Sequence, residues 1–214
     1  MDALSMAREP ATQQTKFVDV GFRYSNYDTP FWVRPNSDEG RWHRIGDDPT
    51  QYLSTTVEGA WAELIRAEGL RSEAEVALLR MPMWAADLDV HRIADYGSFE
   101  KAGEAGFAPD ALIDEDYSRC QREGRRLREA GYLGVLAPSA ALPGSVNLTL
   151  FGPRIASRWG MPSALASSIP ATKIAVGSPP EEIVGQVRQR GEPDPSYEAY
   201  LAARRQASRK RSEE

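Results

Sequence analysis

Residues 25–46 cannot form regular structure. Pro30 and Pro35 each remove a backbone donor, Gly40 and Gly46 loosen the chain, and Asn36 favours a turn. Connections longer than about 15 residues are uncommon in compact domains unless they bind something. This one carries Phe31, Trp32, Arg34, Arg41 and Trp42, side chains costly to leave as mere linker. It separates two strand-like runs, residues 17–24 (Phe17, Val18, Val20, Phe22 and Tyr24) and 51–54. Two strands joined by a loop rather than a helix break the β-α-β rhythm of a doubly wound sheet at its first step.

The rest of the chain keeps that irregular order. Thr55 and Glu58 have capping-box spacing, and Val57, Ala60, Trp61, Leu64 and Ile65 follow at i, i+3, i+4, i+7 and i+8, with Gly69 as the stop. Residues 72–96 hold apolar groups at 76–79, 81–84 and 88–93, read as strands because Pro82 interrupts any helix. A second helix is expected over 116–130, acidic at its start, Arg-rich at its end and stopped by Gly131. Residues 132–137 and 146–151 read as buried strands around a turn containing Pro138, Ser139, Pro143 and Gly144, and 171–176 as a further strand. Residues 180–190 and 196–210 read as helices, the last amphipathic through Tyr197, Tyr200 and Leu201 and basic at its end. Strands and helices mixed without alternation predict an α+β fold. The expected organisation is a flexible N-terminus over 1–15, one domain over 16–185 and a helical C-terminal extension over 186–214.

Composition narrows the chemistry. In 214 residues, 26 basic against 31 acidic side chains give a net charge of -5, which argues against a dedicated duplex-DNA binder. One cysteine, Cys120, excludes an internal disulfide, and with only His43 and His91 no three-histidine or Cys/His zinc site can be built. No metal is therefore expected. The longest uncharged segment, 131–153, is broken by Pro138 and Pro143, and the N-terminus lacks an apolar signal core. A soluble, cytoplasmic protein is the expectation. The pattern Asn147-Leu148-Thr149 matches a glycosylation acceptor but falls in a predicted buried strand, so it is read as accidental.

Five strings in order carry a more specific signal: GFRY, GRWHRIG, QYLS, the EGAWAE helix, and GVLAPSA followed by NLTLF. Together they resemble the RES domain, over residues 17–151 and more loosely to 184. The resemblance implies an ADP-ribosyltransferase-like mixed sheet core with flanking helices. It also implies a toxin enzyme that depletes cellular NAD by breaking the nicotinamide–ribose bond, with water or phosphate as acceptor, and an antitoxin protein that blocks the NAD cleft. One branch of the family modifies a protein instead, so mono-ADP-ribosyl transfer is the alternative. A non-catalytic module binding an acidic partner through the basic C-terminal helix is the alternative from another class.

Onto this sequence the resemblance carries Glu63, Arg41 and Ser139 as catalytic candidates, with Arg23, Tyr24 and Tyr52 beside them in binding NAD. Breaking an N-glycosidic bond builds an oxocarbenium-like ribose, which needs a fixed negative charge and anchors for the diphosphate. Glu63 suits the charge: on a helical wheel it borders the apolar stripe among Gly59, Ala60 and Ala67, small residues that leave a ligand room. The other reading is a solvated helix glutamate. Arg23 and Arg41 can bind phosphate oxygens bidentately or form surface ion pairs. Tyr24 and Tyr52 can stack on nicotinamide or sit in the core. Ser139 can bond a nicotinamide amide or ribose hydroxyl, or merely hold its turn. The family has Asn where this chain has His43, which bears on substrate placement. His91 and Cys120 are read as structural.

Overall fold

The computed structural model describes residues 12–162, 165 and 167–213. Strand β1 (Gln14–Tyr24) begins inside the stretch expected to be flexible, and residues 1–11 lie outside the described residues. The chain then crosses residues 25–49 with only an isolated bridge between Gly40 and His43, as its prolines and glycines require. Strand β2 (Thr50–Ser54) leads into α1 (Val57–Glu68). The N-cap is Thr56, whose side chain accepts from the Gly59 N–H at 3.0 Å. Thr55, expected in that role, instead donates to the Val146 carbonyl at 2.9 Å and ties the end of β2 to the next sheet strand. Gly69 ends the helix in the left-handed region at φ 67.

The segment 72–96 departs from the all-strand expectation. Ser72 and Glu75 form a reciprocal capping box that starts the short helix α2 (Glu73–Ala77). Strand β3 (Met81–Asp95) then runs unbroken for 15 residues. Pro82 is tolerated because it is the strand's second residue, beyond the last β1 partner at Met83. Two short helical pieces had no clear sequence signal: α3 (Phe99–Glu104) and the 3-10 turn Pro109–Leu112. Helix α4 (Ser118–Glu129), strands β4 (Gly134–Pro138) and β5 (Val146–Phe151), and helix α5 (Pro195–Glu213) fall where expected. The short β6 (Ile155–Ser157) is an addition, and β7 (Ser168–Gly177) extends the predicted strand. The helix expected over 180–190 is reduced to a 3-10 segment, Glu181–Gln186.

The strands lie in the order β1-β2-β5-β4-β3-β7-β6, with β1 also paired to β3. The ring β1-β2-β5-β4-β3 therefore closes on itself. Only β3–β4 and β6–β7 are parallel, so the architecture is α+β, a sheet core with flanking helices. Leu53, Leu88, Ile93, Leu148 and Leu150 fill one side. Trp61, Leu64 and Ile65 of α1 bury themselves with Val76, Met83 and Ile183 on another. Trp42, Tyr96, Leu112 and Leu127 form a third cluster, onto which α5 lays Tyr197 and Tyr200 beside Phe99. No helix among the described residues is long and apolar enough to cross a membrane.

Candidate active site

Burial of Trp61, Leu64 and Ile65 fixes the rotation of α1 and leaves Glu63 half-buried at the border of its apolar face. Its carboxylate meets two donors on neighbouring elements. The Ser139 hydroxyl, in the turn after β4, donates to Glu63 Oε1 at 2.7 Å, and the Asn147 amide, on β5, donates to the same oxygen at 2.6 Å. Both donors are themselves held. Ser139 is 1% exposed, and its Oγ accepts from the Ala141 and Leu142 N–H groups at 3.1 and 3.0 Å. Asn147 Oδ1 accepts from the Ser54 hydroxyl at 2.7 Å, which fixes which way its amide faces. Oε2 of Glu63 makes no hydrogen bond with the described residues, leaving one carboxylate oxygen for other work.

Gly59 does not serve this carboxylate as the helical wheel implied. A Cβ there would lie 3.0 Å from Ser145 Oγ and 3.1 Å from Ser54 Cβ, so its smallness lets α1 approach the sheet. Ala60 and Ala67 do border the cleft beside Glu63.

Arg41 is presented by the long loop, and α4 holds that loop through one face. Gln121 Nε2 donates to the Gly40 carbonyl at 3.2 Å, and Arg128 Nη1 to the Trp42 carbonyl at 2.9 Å. Between them Gly124 passes so close that a Cβ would stand 2.5 Å from the Trp42 oxygen. Arg41 Nη1 then donates to the Ala111 and Asp114 carbonyls at 3.2 and 2.8 Å, with its guanidinium 4.5 Å from the Tyr117 ring centre.

The loop closes on Tyr52 through a directed chain of hydrogen bonds. The Trp42 N–H donates to Tyr52 Oη at 2.9 Å, and Tyr52 Oη lies 2.8 Å from His43 Nδ1. His43 Nε2 sits 2.9 Å from the Asp38 carbonyl, which can only accept. That makes Nε2 the protonated nitrogen and Nδ1 the acceptor of the Tyr52 proton. His43 is 3% exposed, and burial pulls its pKa below the usual value, favouring the neutral ring. At the family's Asn position, then, His43 braces the loop at the wall of the cleft.

Arg23 and Tyr24 leave the end of β1 on opposite faces. Arg23 Nη1 donates to Gln51 Oε1 at 3.3 Å and its guanidinium lies 4.1 Å from the Trp32 ring centre; burial lowers its pKa to about 10. Burial, reinforced by the Glu63 charge, pushes the Tyr24 phenol up to about 12, so it remains a donor at neutral pH. Burial likewise raises Tyr52.

Arg23, Tyr24, Arg41, Tyr52 and Glu63 all line one open cleft of about 1210 Å³. Ser139 stands behind its wall, in contact through Glu63. Sequence reasoning missed Asn147 and Ser54 as parts of this arrangement. Their one signal is that a strand's side chains alternate: Ser54 and Asn147 are paired in the β2–β5 ladder and project together, but that register is not written in the sequence. Among the described residues no group of three or more His, Cys, Asp or Glu could hold a metal ion. His91 is exposed, while Cys120 is fully buried with its thiol on the Ala111 carbonyl.

The family model for the RES domain matches residues 18–163. Over 123 residues, 55% of this chain, the sequence is 30% identical to a probable NAD(+) phosphorylase of Mycobacterium tuberculosis, and the match covers 55% of that curated relative. The chain thus spans about half the length of the relative it matches. In fold it is similar to a chain of the M. tuberculosis MbcT–MbcA toxin–antitoxin complex, with a TM-score of 0.55, 19% identity, and coverage of 82% of this chain and 91% of that one. At that identity the likeness is one of architecture.

Proposed function

The chain belongs to the RES domain family, and we propose that it cleaves the nicotinamide–ribose bond of NAD, so depleting the dinucleotide as a toxin. The observation that carries this reading is a carboxylate oriented by two donors, Glu63 between Ser139 and Asn147, on the wall of a cleft that Arg23 and Arg41 also line. The family match and the NAD(+) phosphorylase relative support it.

The chemistry asked of these residues is modest. As the C1′–N bond breaks, its electron pair returns to the pyridinium nitrogen and nicotinamide leaves neutral. Positive charge builds on the ribose, where the fixed Glu63 carboxylate offsets it without reorganising. An acceptor oxygen then forms the new bond at C1′. Phosphate gives ADP-ribose 1-phosphate; water gives ADP-ribose and releases a proton. Arg41 and Arg23 anchor the diphosphate. Tyr24, still protonated, donates to the nicotinamide or ribose, and Tyr52 holds the Arg41 loop. Ser139 and Asn147 are positioning residues, since they act through Glu63.

An antitoxin protein that occupies the cleft follows from the same reading, supported by the complex in which the structural neighbour was seen. Transfer of ADP-ribose to a protein, and a binding role for the basic end of α5, gain no support from the comparisons. Incubating the purified protein with NAD, with and without phosphate, and separating the products tests the proposal. ADP-ribose 1-phosphate or ADP-ribose is expected; intact NAD beside an active control would refute it.

A further inference from the structure

One wall of the cleft carries a cation that the reading above leaves without a task. Gln51, fully buried, ties that wall together. Its Oε1 accepts from Arg23 Nη1 at 3.3 Å and from the Trp32 N–H at 3.2 Å; its Nε2 donates to the Trp32 carbonyl at 3.0 Å and the Gly152 carbonyl at 3.4 Å. The Trp32 carbonyl also accepts from the Arg154 N–H at 3.1 Å. One amide thus links the end of β1, the long loop and the exit from β5. At that exit Gly152 takes φ 86, and a Cβ there would stand 3.3 Å from Arg154 Nη1, so the turn leaves room for the guanidinium.

Arg154 lines the cleft and is half-buried. With the described residues its side chain makes one hydrogen bond, Nη1 to the Pro153 carbonyl at 2.8 Å. Among the described residues no carboxylate pairs with it, and none pairs with Arg23. Arg66, on the same cleft, differs: it is paired with Glu115. Burial lowers the pKa of both Arg23 and Arg154. Two partly desolvated guanidiniums without a counter-ion carry a cost that a bound anion offsets.

We propose that Arg154 forms an anion subsite on the wall of the cleft that takes a phosphate group. The subsite deepens the NAD reading and rests on it for the ligand's identity. Two sources share the chemistry, the diphosphate of the dinucleotide and a free phosphate acceptor. Planar guanidinium forks suit either.

Calorimetric titration of the wild type, Arg154→Gln and Arg154→Lys with ADP and with inorganic phosphate separates them. Loss of one charge-assisted contact predicts about tenfold weaker binding by Arg154→Gln, with Arg154→Lys between the two. A loss for ADP assigns the subsite to the diphosphate, and a loss confined to inorganic phosphate assigns it to the acceptor. Unchanged affinity of Arg154→Gln for both, or no binding of either by the wild type, overturns the subsite. NAD turnover by the wild type is scored separately. Turnover with unaltered anion binding sinks only the subsite, whereas Arg154-dependent anion binding without turnover sinks only the activity.

Discussion

Replacing Glu63 by Gln keeps the side chain's shape and the Ser139 and Asn147 contacts while removing the charge. NAD cleavage should fall by about 10²- to 10³-fold, the scale seen when one fixed electrostatic group is removed, with the thermal midpoint little changed. Asn147→Asp puts a second carboxylate against Glu63 Oε1, and like charges raise a carboxylate pKa. The acid limb of the pH–rate profile should therefore move to higher pH, and kcat should change more than KM; an unmoved limb would show that Asn147 does not act through Glu63. His43 gives a stability prediction of definite sign. Its folded pKa is lowered by burial from 6.5, so below that value the unfolded chain binds a proton that the folded chain resists. The bracing contribution is complete above about pH 6.5 and is lost as pH falls towards the lowered folded value. Melting curves from pH 8 to 5 should show this loss, and His43→Gln should remove that part of the slope. At this scale the ordered strings point to Arg23, Arg41 and Glu63, because residue type and sequence order survive in a string. They miss Asn147, whose role depends on strand register, and they do not reveal that the Ser139 hydroxyl donates to Glu63.

The elements owe their positions to capping and close approach. Thr56→Ala removes the oxygen that accepts from Gly59 at the start of α1, costing about 1 kcal/mol of stability. Thr55→Ala leaves that cap intact, so chemical denaturation of the two variants distinguishes the cap assignments. Gly124→Ala forces α4 and the Trp42 carbonyl apart; because the contact is backbone, the Arg41 loop must shift. Affinity for NAD should fall more than overall stability does, a comparison that titration and melting together provide. Helices α1 and α4 are legible because periodicity, caps and terminal charge agree within each segment. The α2–β3 stretch is not, because Pro82 reads as an interruption until its place at the strand's start is known. Helix α3 is too short for periodicity to show.

For the whole molecule, the C-terminal helix has two parts. Tyr197 and Tyr200 pack on Phe99, and Tyr200 is 7% exposed, whereas residues 202–212 are exposed. Ending the chain at 203 should leave folding and NAD cleavage intact, while ending it at 194 should lower the melting midpoint by stripping these rings from the core. Composition, chain order and local pattern by themselves determined the α+β class, the long unstructured loop, the two principal helices and the family signature, since each is a property of neighbouring residues. The closed strand ring, the seating of Arg41 on the Ala111 and Asp114 carbonyls, and the Ser54–Asn147–Glu63–Ser139 relay were decided only by tertiary structure. Each joins side chains from distant segments, and their directions are set by strand register and helix rotation, which packing alone fixes.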